Sequence, residues 1–147
     1  MKRKVLAGLL TVVMAAGFVA VPGMQTEVKA DDKKLVGVAM PTKDLQRWNQ
    51  DGENMKKSLE DAGYEVDLQY ASNEVATQVS QVENMISNGC DILVIASIDG
   101  SSLGEPLSQA KEAGIPVIAY DRLLMESDAV SYYATFDNYM VGQKQGE

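Results

Sequence analysis

Three times along this chain a polar stretch with apolar residues at helical intervals ends at a glycine and gives way to an apolar run of strand length. Trp48, Met55, Leu59 and Ala62 lead to Gly63 and "EVDLQY" (Glu65 to Tyr70). Val75, Val79, Val82, Met85 and Ile86 lead to Asn88-Gly89 and "DILVIA" (Asp91 to Ala96). Leu103, Leu107 and Ala110 lead to Gly114 and "IPVIAY" (Ile115 to Tyr120). With "LVGVAM" (Leu35 to Met40) before the first unit and "VSYYATF" (Val130 to Phe136) after the last, the order is β-α-β-α-β-α-β-β. Helices that stop at a left-handed glycine and return to a strand are parallel βαβ units, so the predicted class is α/β: a parallel sheet with helices on both faces. The near-continuous runs "DILVIA" and "IPVIAY" suit central strands, while the alternating "EVDLQY" suits a place nearer an edge.

The first thirty residues stand outside this pattern. Lys2, Arg3 and Lys4 precede an apolar stretch from Val5 to Val21, the helix breakers Pro22 and Gly23 follow, and Val28-Lys29-Ala30 offers small residues at a cleavage site. Residues 1–30 therefore read as a cleavable secretory signal, not a membrane anchor, and residues 31–147 as one domain exported across the cytoplasmic membrane. The leader holds four basic residues and one acidic, so its removal takes the formal net charge from −8 to −11. A surface that acidic is unsuited to nucleic acid. The single cysteine, Cys90, has no internal disulfide partner and reads as a small buried hydrophobe.

In open parallel sheets ligands sit beyond the carboxyl ends of the strands. Four connections there carry polar forks: Lys43, Arg47 and Trp48 after the first strand, Asp99 after the third, Asp121 and Arg122 after the fourth, Asp137 and Asn138 after the fifth. Each has a structural alternative. Lys43 and Arg47 fit solvated charges, Trp48 a core residue, Asp99 a turn before Gly100, Asp121 and Arg122 an ion pair, and Asp137 or Asn138 a helix N-cap. Their convergence on one sheet edge favours a site. Carboxylates and amides accept from hydroxyls, cationic groups donate to them, and an indole covers an apolar C–H face, which together suit a neutral, hydroxyl-rich ligand. With no histidine, no cysteine cluster and neither glycine-rich phosphate loop, no metal or cofactor is expected.

"VGVAMPTKDLQRWNQDGENMKKSLEDAGY", "QVSQVENMISNGCDILVIASIDGSSL", "GIPVIAYDR" and "VSYYATFDN" resemble the periplasmic sugar-binding proteins of ABC importers, nearest to the xylose-binding and multiple-monosaccharide-binding branch. The resemblance implies a type I periplasmic binding protein fold, in which two α/β lobes close on one sugar. This chain would supply the N-terminal lobe, with Lys43, Arg47, Trp48, Asp99, Asp121, Arg122, Asp137 and Asn138 lining its half of the site. It implies binding without catalysis, a monosaccharide ligand such as xylose, glucose or galactose, and an ABC permease as partner; the alternative partner is a chemoreceptor or sensor kinase. The second lobe has no counterpart here, so the chain is expected to be the truncated N-terminal part of a longer protein. Two other classes fit less well. A repressor of this fold needs a DNA-binding helix pair where the leader stands, and a glycosidase built on Asp99 and Asp121 needs a carboxylate spacing that the sequence does not fix.

Overall fold

The computed structural model describes residues 33–147; the expected signal peptide lies outside the described residues. Nine elements follow one another: β1 (Leu35–Met40), α1 (Gln46–Asp61), β2 (Glu65–Tyr70), α2 (Val75–Ser87), β3 (Ile92–Ile95), α3 (Gly104–Glu112), β4 (Val117–Tyr120), β5 (Val130–Ala134) and α4 (Asn138–Gly146). The strands form one sheet in the order β2-β1-β3-β4-β5, and every pairing is parallel. The chain builds outward from β1 to β2, then crosses to β3 on the other side. The connections after β1 and β3 therefore diverge and leave a crevice at the carboxyl edge.

The repeated helix-glycine-strand signal has a single physical origin. At the end of α3 the Gly114 N–H donates to the Lys111 carbonyl at 3.0 Å and the Ile115 N–H to the Ala110 carbonyl at 2.8 Å. This is a Schellman motif, and it places Gly114 at φ 71°, where a side chain is disfavoured. The ends of α1 and α2 repeat it, with Tyr64 and Cys90 in the place of Ile115. Ala62, read as part of the α1 stripe, is instead the exposed C-cap of that helix. The third, fourth and fifth strands are also shorter than the apolar runs that announced them. Pro116, for example, lacks an N–H and contributes only its carbonyl, which accepts from Leu93.

Each sheet face has its own core. Val82 and Met85 of α2 and Leu103, Leu107 and Ala110 at α3 pack on Ala39, Leu93, Ile95, Val117 and Ala119. On the other face Trp48, Met55 and Leu59 of α1 pack on Val36, Val38, Met40, Val94 and Ile118. Full burial of a large side chain such as Leu107 contributes about 1.5 to 3 kcal/mol. Gly37 of β1 keeps room for this packing, since a Cβ there would sit 2.9 Å from Leu93 and Met85 atoms. β5 and α4 are packed less: α4 buries no residue, and Tyr132, Phe136, Tyr139 and Met140 are exposed.

Candidate binding site

The connections after β1, β3, β4 and β5 do meet at the carboxyl edge: Arg47 in the first turn of α1 joins those after β1, β4 and β5, and Arg122 reaches the one after β3. Its Nη2 donates to Asp121 Oδ1 at 2.5 Å, its Nε lies 3.5 Å from Asp51 Oδ2, and its guanidinium carbon is 4.7 Å from the Trp48 ring centroid and 5.2 Å from that of Phe136. The hydrogen bond that Arg47 donates to Asp121, reinforced by the charges of Asp121 and Asp51, raises the Arg47 pKa above its ordinary value, against the opposing effect of desolvation. This guanidinium stays charged.

Asp121 and Arg122 do not pair with each other. Asp121 stands at φ 63°, in the left-handed region that non-glycine residues seldom occupy. Its N–H donates to the Ala134 carbonyl at 2.7 Å, while its own carbonyl accepts from Tyr133 Oη at 3.1 Å and Thr135 Oγ1 at 3.2 Å. The ends of β4 and β5 thus fix a strained turn that carries the carboxylate to Arg47. Arg122 turns the other way. Its Nη1 donates to the Ser97 carbonyl at 2.9 Å and reaches the Ile98 carbonyl at 3.5 Å, and its guanidinium carbon lies 5.1 Å from the Trp48 ring centroid. The carbonyls it meets are themselves positioned, because buried Gln78 of α2 donates to the Ala96 carbonyl and accepts from the Ile98 N–H.

Trp48 is 3 % exposed and belongs to the α1 core, with both guanidinium groups over its ring. Its core alternative is therefore realised, and the indole does not present an open face in this conformation. Phe136, 55 % exposed beside Arg47, is the aromatic that stands free at the edge. Around this centre lies a cavity of about 150 Å³ lined by Tyr120, Asp121, Ala134, Thr135 and Phe136. Larger hollows of about 420 and 530 Å³ lie along the opposite, amino-terminal edge of the sheet, where no comparable meeting of acids and guanidinium groups occurs among the described residues.

The remaining expected residues are engaged in other ways. Asp99 accepts from the Ser101 N–H at 2.9 Å and the Ser101 hydroxyl at 2.7 Å, and these bonds, the backbone one first, hold its carboxyl below the usual range. It forms the turn allowed for it. Asp137 is the N-cap of α4, accepting from the Met140 N–H at 3.0 Å, and Asn138 is the exposed first residue of that helix. Lys43 is exposed, 4.0 Å from Glu53 and 4.9 Å from the Tyr70 ring centroid. The structure thus gathers Arg47, Trp48, Asp121 and Arg122 into one contact network and leaves Lys43, Asp99, Asp137 and Asn138 outside it. Sequence reading passed over Asp51, Gln78, Tyr120 and Phe136. Of these only Phe136, next to the "DN" pair, offered a local signal.

Among described residues Asp121 Oδ2, Arg47 Nη1 and Arg122 Nη2 accept or donate no hydrogen bond within the chain. A carboxylate oxygen with a free lone pair can accept from a ring hydroxyl, and guanidinium nitrogens with spare N–H groups can donate to hydroxyl oxygens of a neutral ligand. Comparison with known proteins places the chain in a family. The sequence profile described as periplasmic binding protein domain matches residues 36–147. The multiple sugar-binding periplasmic receptor ChvE of Rhizobium radiobacter is 51 % identical over 131 residues, 89 % of this chain and 37 % of its own length. The D-xylose-binding periplasmic protein of Escherichia coli is 39 % identical over 123 residues, 83 % of this chain and 37 % of its own. Among solved structures, an ABC transporter solute binding protein from Clostridium phytofermentans with bound β-D-glucose matches with a TM-score of 0.75 and 82 % identity, over 77 % of this chain and 35 % of that one. The chain thus spans little more than a third of the length of these relatives.

Proposed function

The chain belongs to the periplasmic binding protein family, and from that membership we propose that it captures a monosaccharide outside the cytoplasmic membrane and delivers it to an ABC sugar importer. The observation that carries the reading is the Arg47–Asp121–Arg122 arrangement over Trp48. Asp121 accepts from one or two sugar hydroxyls, Arg47 and Arg122 donate to neighbouring oxygens, and Phe136 lies against an apolar part of the ring. Lys43, Asp99 and Asn138 supply further polar contacts. D-glucose is the first candidate, because the relative 82 % identical to this chain holds β-D-glucose; D-xylose and D-galactose follow. Residues 1–30 direct export, and a second lobe closes over the carboxyl edge and completes the contacts.

Calorimetric titration of the protein purified from its own cells with D-glucose, D-xylose and D-galactose tests the reading. Micromolar or tighter binding of at least one sugar, with that sugar recovered unchanged, is expected. No binding of any of the three overturns it. Deletion of the gene then identifies the partner: growth on the bound sugar fails if the partner is an importer, whereas lost taxis with intact growth replaces the importer by a receptor.

A further inference from the structure

The carboxylate of Asp51 does none of the work expected of a binding residue, yet it sits behind one. It lies one turn beyond Arg47 on α1, and its Oδ2 is 3.5 Å from Arg47 Nε while accepting from Tyr120 Oη at 3.2 Å. Tyr120 is the last residue of β4 and immediately precedes Asp121. One carboxylate oxygen thus joins the helix that carries the arginine to the strand that carries its acid. A guanidinium has rotational freedom about its long side chain, and a second anchor at Nε leaves one orientation in which Nη2 meets Asp121. Burial, and then the charge of Asp51, raises the Tyr120 pKa, so the phenol stays a donor at neutral pH.

We infer that Asp51 and Tyr120 are positioning residues for sugar capture: acting through Arg47, they hold its guanidinium over Trp48 with Nη2 turned toward Asp121. The inference rests on the sugar-capture reading and adds residues to that site.

A double-mutant cycle tests it, with D-glucose and D-xylose as the titrants. Asp51→Asn keeps the size of the side chain and removes its charge; it is expected to weaken sugar binding on the order of tenfold, and Tyr120→Phe by about threefold. In an Arg47→Ala background both substitutions are expected to have no further effect on affinity, since the group they orient is gone. A merely structural role would persist there and appear as an additive loss. The inference is overturned if Asp51→Asn in the Arg47-containing protein binds within twofold of the parent, or if its effect is unchanged in the Arg47→Ala background. Should Asp51→Asn fail to fold, Tyr120→Phe, which retains the ring in the core, carries the same cycle with the same two outcomes. Failure of the parent protein to bind either sugar counts against sugar capture itself, and the two failures are therefore distinct.

Discussion

The two edges of the sheet are built from the same strands, yet they differ in what their charges do. At the amino-terminal edge the three Schellman turns close the helices, Asp91 accepts from the Leu35 N–H at 2.8 Å, and Lys111 pairs with Asp128 at 2.5 Å on an open surface. Each charge there has one local task. At the carboxyl edge Arg47 alone meets Asp51, Asp121, Trp48 and Phe136, and Arg122 reaches across to the end of β3. Hollows of about 420 and 530 Å³ lie at the first edge, one of about 380 Å³ lies between Phe136 and α4, and the polar network borders one of only about 150 Å³, so cavity size alone does not single out the polar network. Convergence of donors and acceptors from several strand ends is the feature that sets the second edge apart.

Substitutions at the two edges should therefore separate binding from stability. The largest effect is expected at Arg122, where replacement by alanine removes a charged donor and leaves the Ser97 carbonyl without its partner. Sugar affinity should fall by roughly 2 to 4 kcal/mol in a calorimetric titration. Gly114→Ala comes next and should act on the other quantity. The site is open, so the loss arises from the backbone at φ 71°, and denaturant unfolding should register about 1 kcal/mol with sugar affinity unchanged. A smaller effect is expected from Lys111→Ala. Its hydrogen bond and charge hold the Asp128 carboxyl below the usual range, so the pair stabilises the fold above the ordinary aspartate pKa and ceases to do so as pH falls through the lowered value. Thermal melts of the variant and the parent should differ slightly at neutral pH and converge on the acid side of about pH 4. Cys90 marks the limit of no effect. Burial, with help from Asp67 and Asp91, pushes its thiol up to about 11, so a thiol reagent at pH 8 should label the unfolded chain and leave the native one unmodified.

The architecture was legible in the sequence because its signals are local. The glycine at each helix end, the 3.6-residue stripe and the unbroken apolar runs are set by neighbours a few positions apart, and the structure returns them with shortened strands. The central place of β3 and β4 and the edge place of β2 followed from the same patterns. The site was legible only as a list of strand-end residues. Arg47 and Asp121 are 74 positions apart, and their meeting depends on how α1, packed on β1 and β2, brings its first turns to the end of β4. The left-handed turn at Asp121 is imposed by Ala134, Tyr133 and Thr135 from the next strand. Gln78 interrupts a stripe of valines, and its fully buried amide is explained only by the β3 backbone groups that it satisfies. Trp48 shows the opposite limit, since core and site were offered as alternatives and the residue stands in the core with both guanidinium groups over its ring.

The most direct test of the contrast between the edges is to add D-glucose to the ¹⁵N-labelled protein and map which backbone amides shift. The account predicts perturbations concentrated at residues 42–48, 97–100, 120–123 and 134–138, with the amides of Gly89, Cys90, Gly114 and Ile115 unmoved. Shifts centred on the amino-terminal edge, or scattered evenly over both, would contradict it.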